Sequence, residues 1–337
     1  MLATTQLSLF PETITFLSKK ELLKYDKALI FFSGGKDSLA SLITILEMGY
    51  PRKNIELHHH LVDGKNTHFM DWPITEAYCR AVAKALKIPL YFSWREGGFE
   101  REMLRNNQPT APSCFETPEG CIGCAGGHGK PNTRLRYPQI SSSLSVRYCS
   151  AYCKIMISDL MIRNQERFNN QKTLCISGER AEESAARAKY KILEPDRADN
   201  RNGKSQRYVD RYRPVHQMKE EAIWDLIREW KIFPHPAYLL GFSRCSCMHC
   251  IFSGPDQIAS AAYIDPDGFH KISQYEEQFG VTIHRTLSVL DRVKKGKPVV
   301  INDDLTKLAM STQWDRPIFV EHWELPAGAF KNSPGPV

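Results

Sequence analysis

The hexapeptide at 33–38, SGGKDS, combines the side chains and the backbone freedom that phosphate binding requires. Its two glycines permit a tight turn whose N–H groups point inward, and a following helix places its positive end at the anion. The serines add hydroxyl donors, Lys36 adds a positive charge, and Asp37 can hold Mg²⁺ against a pyrophosphate. The spacing differs from the G-x-x-x-x-G-K-[ST] loop, so we expect a nucleotide site of another kind. The structural alternative is a plain strand-to-helix turn with a serine cap.

Ten cysteines form the second group of residues with chemical potential. In a reducing compartment such cysteines more often bind metal or do redox chemistry than form disulfides. Cys149 and Cys153 lie four apart on a predicted helix, so both project from one face. The spacing Cys247-x2-Cys250 lets two thiolates reach one metal from a tight turn. These four cysteines are the predicted metal ligands, and four thiolates suit either a [4Fe–4S] cluster or structural zinc.

Other cysteines compete with this ligand set. Cys245 is a spare ligand beside the C-terminal pair, and Cys121-x2-Cys124 completes a zinc site or binds its own metal with Cys114 and His128. Unliganded thiols are the remaining alternative, since spacing alone does not decide. Cys79 and Cys175 fall in apolar segments and are predicted to be buried packing residues. The run 58–60, HHH, is read as strand rather than metal site, because no third ligand is obvious.

The segment 187–213 is polar and basic, with nine Lys or Arg against four acids and three interleaved tyrosines. Arginine forks suit phosphate and sulfate oxygens, so we expect Arg180 and Arg187 to contact the nucleotide or the second substrate. The part at 197–213 is interpreted as a mobile lid or a nucleic-acid contact. A solvated surface loop is the alternative, and it is favoured over nucleic-acid binding.

Alternating strands and helices position these residues. A continuous apolar run before the glycine pair predicts a buried parallel strand at 28–32, and further strands are predicted at 55–62, 89–94 and 173–177. Helical spacing of apolar residues predicts a helix at 39–48, and a second helix is predicted at 74–86. This is the pattern of βαβ units, so the sequence predicts an α/β fold with a doubly wound parallel sheet. The ligand then lies beyond the carboxyl ends of the strands. We expect Ser33, Asp63, Trp94 and Gly178 to line that edge.

The remaining segments complete the predicted organisation. The stretch 106–143 is rich in Pro, Gly and Ser and is predicted to be an irregular insertion. Helices are predicted at 144–167, from 181 onward, and at 219–230, and a helical tail follows the C-terminal cysteines. We therefore predict a nucleotide-binding α/β domain at 1–215 and a helical, cysteine-bearing region at 216–337.

Composition limits the function classes. The chain has 337 residues, 42% hydrophobic residues and a net charge of +7, which suits anionic substrates such as nucleotides, sulfate esters or nucleic acid. No apolar run approaches the ~20 residues that cross a bilayer, and the N-terminus lacks the pattern of a secretory signal. A cytoplasmic protein without a membrane partner is the expectation.

Five segments in order resemble known proteins over about 28–254. The hexapeptide resembles the signature of the N-type ATP pyrophosphatases, which form the PP-loop class of the adenine nucleotide α-hydrolase-like superfamily. Four more segments resemble one branch, the phosphoadenosine phosphosulfate (PAPS) reductase family: HLVD at 60–63, RYC at 147–149 with Lys154, GERAEESAAR at 178–187, and 212–238 with its proline turn. The predicted catalytic residues are Lys36, Asp37 and Arg180. The predicted nucleotide-binding residues are Ser33, Gly34, Gly35, Lys36, Asp37, Ser38, Asp63, Gly178, Glu179, Arg180 and Arg187.

The resemblance also favours a [4Fe–4S] cluster over zinc. Adenylylsulfate (APS) reductases and the DNA phosphorothioation sulfurtransferases hold such a cluster with a cysteine of the middle segment and a C-terminal Cys-x2-Cys. The APS reductases have adjacent cysteines in the middle segment, whereas three residues separate Cys149 from Cys153 here.

Three functions follow from this resemblance. The first is ATP-dependent sulfur transfer with Mg²⁺, in which the acceptor (DNA, tRNA or a small molecule) is adenylylated and a cysteine desulfurase or another sulfur donor acts as partner. The second is reduction of APS or PAPS, although such reductases usually lack the Lys-Asp pair and use a cysteine nearer the C-terminus than Cys250. The third is a non-enzymatic nucleotide sensor. Sulfate adenylylation is a further variant, but it does not require so many cysteines. We expect the first function.

Overall fold

Ten strands are present in the computed structural model, which describes residues 3–4, 15–299 and 302–331. Eight of them form one central sheet, and the first two form a separate small pair. The strands are β1 Ala3–Thr4, β2 Thr15–Phe16, β3 Lys27–Phe31, β4 Ile55–Leu61, β5 Leu90–Arg95, β6 Ser113–Glu116, β7 Ile122–Ala125, β8 Lys172–Ile176, β9 Leu193–Pro195 and β10 Tyr208–Tyr212.

The central sheet has the order β7-β6-β5-β4-β3-β8-β10-β9. Its five middle strands, from β5 to β10, run parallel, while β6, β7 and β9 are antiparallel to their neighbours. The order reverses beside β3, so β3 marks the topological switch point at which such folds bind ligands. The predicted doubly wound α/β fold is confirmed.

Helices cover both faces of this sheet. They are α1 Lys19–Leu22, α2 Lys36–Glu47, α3 Thr75–Leu86, α4 Gly98–Met103, α5 Tyr148–Ser150, α6 Met156–Arg163, α7 Ala185–Ala188, α8 Glu220–Glu229, α9 Pro236–Leu239, α10 Pro255–Ile264, α11 Pro266–Phe279, α12 Val289–Lys295 and α13 Asp303–Met310. A π-helical turn, Ala151–Ile155, joins α5 to α6, and short 3-10 turns lie at Arg52–Asn54, Glu166–Phe168 and Ala181–Glu183. None of the described helices is long and apolar enough to cross a membrane.

The main hydrophobic core lies between the sheet, α2, α3 and α8. Leu29 and Ile30 of β3 are fully buried, which explains their uninterrupted apolar run. Trp224 and Ile227 lie on the buried face of α8 and join the same core. The amphipathic helix predicted at 219–230 is thereby confirmed. The proposed boundary after residue 215 stays a prediction.

The interpretation of 106–143 as irregular was wrong in part. Residues within it form β6 and β7, a hairpin that extends the sheet beyond β5. Cys114 and Cys124 face each other across this hairpin and form a disulfide. Cys114 is therefore not an isolated thiol, and neither cysteine is a metal ligand. The expectation that cysteines bind metal rather than form disulfides was wrong for this pair. The sequence does not display this pairing because Gly123 and two cysteines give these strands little β-propensity.

The basic segment 197–213 contains a second departure from expectation. Instead of a lid, its end forms β10, which pairs in parallel with β8. The strand was missed because its sequence, YVDRY, carries two charges. Both charges are paired: Arg211 contacts Asp196, and Asp210 contacts Arg201 and the Tyr25 hydroxyl.

The helix predicted at 144–167 begins later and ends earlier, spanning 148–163 with the π turn inside it. The helix expected from 181 is only the 3-10 turn followed by four residues of α7. The helical tail is confirmed by α10 to α13. Residues 332–337, at the end of the predicted helical region, lie outside the described residues.

Candidate functional site

A cavity of about 830 Å³ opens at the carboxyl ends of the parallel strands. It contains the ends of β3, β4, β8 and β10 on one side and the π turn on the other. Its lining includes Phe31, Ser33, His60, Asp71, Arg147, Cys149, Lys154, Ser158, Ser177, Glu179, Arg187, Arg211, Arg213, Arg244, Cys245, Cys247 and Cys250. This is the edge at which the sequence predicted the ligand, and the volume suits a small molecule of nucleotide size.

The cavity is strongly cationic. Among the described residues nine lining side chains are basic and four are acidic; the basic ones are Arg147, Lys154, Arg187, Lys189, Lys191, Arg197, Arg211, Arg213 and Arg244. Arg211 pairs with Asp196, and Arg213 pairs with Glu179 and Glu194, so three of the four acids are engaged by two of the arginines. The excess of positive charge favours a ligand with several negative charges.

The cavity also has an aromatic wall. The Arg211 guanidinium lies 4.9 Å from the centre of the Phe31 ring, and the His60 ring lies 5.4 Å from the same ring. His60 is fixed by a 2.7 Å hydrogen bond between Nδ1 and the Ser93 hydroxyl. Burial and the neighbouring His59 hold the pKa of His60 well below its usual value, so the ring is neutral. Flat, neutral and cationic groups of this kind can stack on a heteroaromatic base.

The glycine turn joins β3 to α2 as predicted. Gly34 has a φ of +77°, a conformation that favours glycine, and the Ser38 hydroxyl donates to the Gly35 carbonyl at 2.9 Å. Ser33 N–H donates to the Ser38 hydroxyl at 3.2 Å. Gly178, after β8, approaches so closely that a Cβ there would lie 2.6 Å from the Asp37 carbonyl carbon. Gly178 therefore packs against the turn rather than lining the cavity.

The predicted catalytic residues form a network of charges beside the turn. Lys36 Nζ lies 3.0 Å from Asp37 Oδ2 and 3.9 Å from Glu220 Oε1, and Arg180 Nε lies 2.7 Å from Asp37 Oδ1. Arg180 also contacts Glu182. Burial raises the pKa of Asp37, but Lys36 and Arg180 outweigh burial and hold it below its ordinary value. The three residues lie together as predicted, yet none of them lines the cavity.

The turn is covered by the chain that leads to the C-terminal cysteines. The backbone N–H of Lys36 donates to the Tyr238 hydroxyl at 2.9 Å. A Cβ at Gly35 would lie 3.3 Å both from this hydroxyl and from Cys245 Cβ. Cys245 Sγ lies 4.0 Å from the Ser33 carbonyl. Sequence reasoning missed Tyr238, because 202 residues separate it from Lys36 and only the fold joins them.

Cys245 lies against the phosphate turn, whereas Cys149, Cys247 and Cys250 lie on the other side of the cavity, around the π turn. Such turns are frequent at functional sites, and this one directs Lys154 into the cavity beside the thiols. Burial lowers the pKa of Lys154, but the nearby Cys247, Asp71 and Cys149 reverse this and raise it. Lys154 makes no salt bridge to any residue that the structure describes, so its charge is available to a ligand.

The predicted ligand set is brought together only in part. Cys149, Cys247 and Cys250 line the cavity, whereas Cys153 is fully buried in the apolar cluster behind it. Cys245 takes the fourth place in the lining. The donor chemistry suits a soft metal, but within residues 3–4, 15–299 and 302–331 no three His, Cys, Asp or Glu groups are arranged to hold one. The cluster therefore stays a prediction.

Asp63 and Asp71 lie next to the cavity. Asp63 Oδ2 accepts hydrogen bonds from the N–H groups of Phe69, Met70 and Asp71 at 2.8–2.9 Å, which fixes the loop after β4. Asp63 lines a neighbouring water-sized pocket and not the main cavity. Burial and the Asp63 carboxylate raise the pKa of Asp71 to about 7. Asp71, which sequence reasoning missed, lines both cavities.

Of the other residues predicted to lie at the ligand site, some line the cavity and some do not. Glu179 and Arg187 line the cavity, although each is engaged by another side chain: Glu179 by Arg213 and Arg187 by Glu183. Trp94 was wrongly expected at the ligand edge, because it packs in a small apolar cluster between β4, β5 and β6. The three histidines of β4 lie in a buried strand as predicted, and His59 Nδ1 bonds the Phe32 carbonyl at 2.8 Å.

Comparison with known proteins supports the motif resemblance. Residues 131–253 match the phosphoadenosine phosphosulfate reductase domain, a family of the PP-loop, adenine nucleotide α-hydrolase-like superfamily. The match covers the π turn, β8, β10, α8 and the C-terminal cysteines. It confirms the family resemblance and indicates an enzyme of this superfamily, with a PP-loop or sulfonucleotide-related activity.

A curated relative gives no further functional information. The chain is 24% identical over 265 residues to an uncharacterized 37.8 kDa protein, in the gpa 5′ region, of Escherichia phage 186. The aligned part covers 74% of each chain. The similarity therefore extends well beyond the family domain.

Proposed function

We propose that this protein is an ATP-dependent sulfur-transfer enzyme that adenylylates its acceptor. The observation that carries the proposal is the shared cavity: one space of about 830 Å³ reaches Ser33 at the phosphate turn, a cationic wall and four cysteines. A simple nucleotide-binding protein needs the first two of these. Chemistry at sulfur is the reason we propose for the third.

The proposed reaction has two balanced steps. An oxygen of the acceptor attacks the α-phosphorus of ATP, so an acceptor–O–AMP bond forms and pyrophosphate leaves. Hydrosulfide, delivered by a donor protein, then attacks the activated acceptor atom. AMP leaves with the former acceptor oxygen, and sulfur takes its place. Where the donor carries a persulfide, a second thiol of the donor first forms a disulfide with it and releases the outer sulfur as hydrosulfide. The acceptor would be DNA, tRNA or a small molecule.

Named residues would carry out these steps. Lys36 neutralises charge on the departing pyrophosphate, and Asp37 holds Mg²⁺. In the present structure both are paired with protein charges, so these contacts must open when the triphosphate binds. Arg187 and Lys154 line the cavity and can hold phosphate or acceptor oxygens. Exclusion of water from the cavity would limit hydrolysis of the adenylylated acceptor.

A [4Fe–4S] cluster is part of the proposal, with structural zinc as its alternative. Cys149, Cys247 and Cys250 would hold it, with Cys153 or Cys245 as the fourth ligand. When bound, such a cluster would carry or position sulfur. Anaerobic purification and a count of iron, acid-labile sulfide and zinc per chain tests this. About four irons and four sulfides support the cluster, and zinc without iron contradicts it.

Reduction of a sulfonucleotide is the second candidate, because the family match favours it. The two reactions yield different products. Sulfur transfer releases AMP and pyrophosphate in equal amounts for each sulfur incorporated into the acceptor. Reduction of APS or PAPS releases sulfite and a nucleotide, consumes two electrons from a dithiol and gives no pyrophosphate. Sulfite without pyrophosphate would overturn the sulfur-transfer proposal. A protein that binds ATP and forms neither product set would be a nucleotide sensor.

A further inference from the structure

The inner end of the phosphate turn is occupied by a protein hydroxyl. Lys36 supplies the N–H at the start of the twelve-residue helix α2, where the helix dipole favours an anion. That N–H donates to the Tyr238 hydroxyl at 2.9 Å. Tyr238 is 2% exposed, so the contact lies within the protein and is not made by chance at the surface.

Further groups converge on the same oxygen. Burial raises the pKa of Tyr238 well above its usual value, and the neighbouring Cys245 and Asp37 add to this, while backbone hydrogen bonds from Lys36 and Cys245 oppose it. The hydroxyl is therefore neutral, and it accepts hydrogen bonds from the backbone N–H groups of Lys36 and Cys245. A phosphate oxygen in this position would meet the same donors and would form stronger, charge-assisted hydrogen bonds.

Space at the turn permits only one of the two occupants. The Tyr238 hydroxyl lies 3.3 Å from the position of a Cβ at Gly35, and so does Cys245 Cβ. The Lys36 ammonium, 5% exposed as a residue, is held by Asp37 and Glu220. A phosphate that reaches the Lys36 N–H must first displace the tyrosine side chain.

We propose that Tyr238 is a built-in competitor of the nucleotide: ATP binding replaces its hydroxyl on the Lys36 N–H and shifts the segment from α9 to Cys245. The inference rests on the proposed function, since it requires ATP at the turn 33–38. It adds a regulatory device, because the same displacement moves a cysteine of the cavity. Sulfur chemistry at that cysteine would then be coupled to occupation of the nucleotide site.

The chain around Tyr238 is a short helix followed by a glycine in the left-handed region. The helix α9 has only four residues, begins at Pro236 and is followed by Gly241, whose φ is +84°. The Tyr238 ring packs edge-on against Trp224, with 5.0 Å between the ring centres. This ring contact does not involve the hydroxyl. Removing the hydroxyl by Tyr238→Phe therefore keeps the packing and removes only the competition.

The first test is the affinity for ATP, measured by calorimetry on the full chain. Tyr238→Phe leaves the Lys36 N–H unpaired before ATP binds, so its ATP Kd is expected to fall about three- to tenfold. Tyr50→Phe is the matched control. It removes a buried hydroxyl that donates to the Tyr25 carbonyl at 2.8 Å beyond the far end of α2, and its Kd stays at the wild-type value.

The second test uses hydrogen exchange, measured first on the unaltered protein and then on the variant. ATP is expected to speed exchange of the amides at 236–245, and Tyr238→Phe without nucleotide already shows the faster exchange. Unchanged or weaker ATP binding by Tyr238→Phe, together with slower exchange at 236–245 in ATP, overturns the inference alone. Failure of both proteins to bind ATP overturns the proposed function, and the inference with it.

Discussion

The two sides of the cavity differ in how far the protein satisfies its own polar groups. At the glycine turn, Lys36, Asp37 and Arg180 are paired with one another or with neighbouring acids, and the Lys36 N–H is bound by a tyrosine. Around the π turn, Lys154 faces several thiols and Asp71 has a raised pKa. The turn is held closed by its own contacts, whereas on the cysteine side Lys154 lines the cavity without a salt bridge to any residue that the structure describes.

A motif can therefore be present and correctly folded while its binding groups are occupied by other parts of the protein. The sequence SGGKDS predicts a phosphate turn, and the turn is present with its glycine conformation. Ser33 reaches the cavity, but Lys36 and Asp37 face protein partners instead. Binding must therefore exchange one set of contacts for another. The predictions that follow alter one side of the cavity at a time.

The largest effect is expected from Lys36→Ala. Loss of the ammonium removes charge neutralisation at the pyrophosphate, so ATP–pyrophosphate exchange should fall by at least about a hundredfold. The exposed Lys53, on the 3-10 turn before β4, provides the control: Lys53→Ala should leave exchange unchanged. A Lys36→Ala protein with wild-type exchange would show that the turn is not the activation site.

Cys247→Ser changes the opposite side of the cavity. Whether this thiol carries sulfur or binds a metal, formation of the thiolated product should fall roughly ten- to a hundredfold. Exchange should remain within about twofold of wild type, because activation takes place at the turn. The two assays run on one preparation provide the measurement. Equal loss of both activities would contradict the separation of the two sides.

Arg180→Met tests the charge network for stability. It removes one of the two cations that hold Asp37 ionised, and we expect a loss of about 2 kcal/mol in the free energy of unfolding, since Asp37 is partly exposed. The difference in unfolding free energy between variant and wild type is fully present above pH 3.8, the ordinary pKa of Asp37. It becomes smaller as the pH falls through the lower pKa that Asp37 has in the folded protein, because a protonated carboxyl no longer pairs with Arg180.

Urea denaturation at neutral and acidic pH measures this effect. Arg228→Ala is the control, since Arg228 forms an exposed pair with Asp225 on α8 that should contribute less than ~0.5 kcal/mol. A difference between Arg180→Met and wild type that stays constant to pH 2 would show that the Asp37 pair is not its source.

The remaining prediction concerns Asp71 and the pH dependence of stability. Its folded-state pKa of about 7 exceeds its ordinary value of 3.8, so the folded protein keeps a proton that the unfolded chain has lost. This group therefore makes stability decrease as the pH rises from about 4 to about 7. Asp71→Asn should reduce that decrease, while Asp225→Asn on the exposed face of α8 should not. Identical pH profiles for Asp71→Asn and wild type would contradict the raised pKa.

The elements that sequence reasoning found and missed share a physical explanation. The strands β3, β4 and β8 lie buried in the middle of the sheet and were predicted with their approximate ends, β3 from its continuous apolar run. The strand β10 lies in the same sheet but carries Arg211 and Asp210, whose partners Asp196 and Arg201 lie outside the strand, 15 and 9 residues away. Periodicity reports apolar burial and does not report buried ion pairs.

The candidate site shows the same division. The turn 33–38 is local in sequence, and its motif was sufficient to locate it. Tyr238 and Asp71 become neighbours of the site only through the fold, and no spacing rule brings them to it. The Cys114–Cys124 disulfide was missed for a related reason, since hairpin register decides that pairing. Motifs thus predict the groups that react, and tertiary structure decides which of them meet.

The most direct test of ATP-dependent activation is exchange of labelled pyrophosphate into ATP by the wild-type protein. The assay requires Mg²⁺ and a panel of acceptors that includes tRNA, DNA and small molecules. We predict exchange that depends on one acceptor class, because reversible adenylylation returns pyrophosphate to ATP. No exchange with any acceptor, together with release of sulfite from APS or PAPS, would contradict the proposal and identify a reductase.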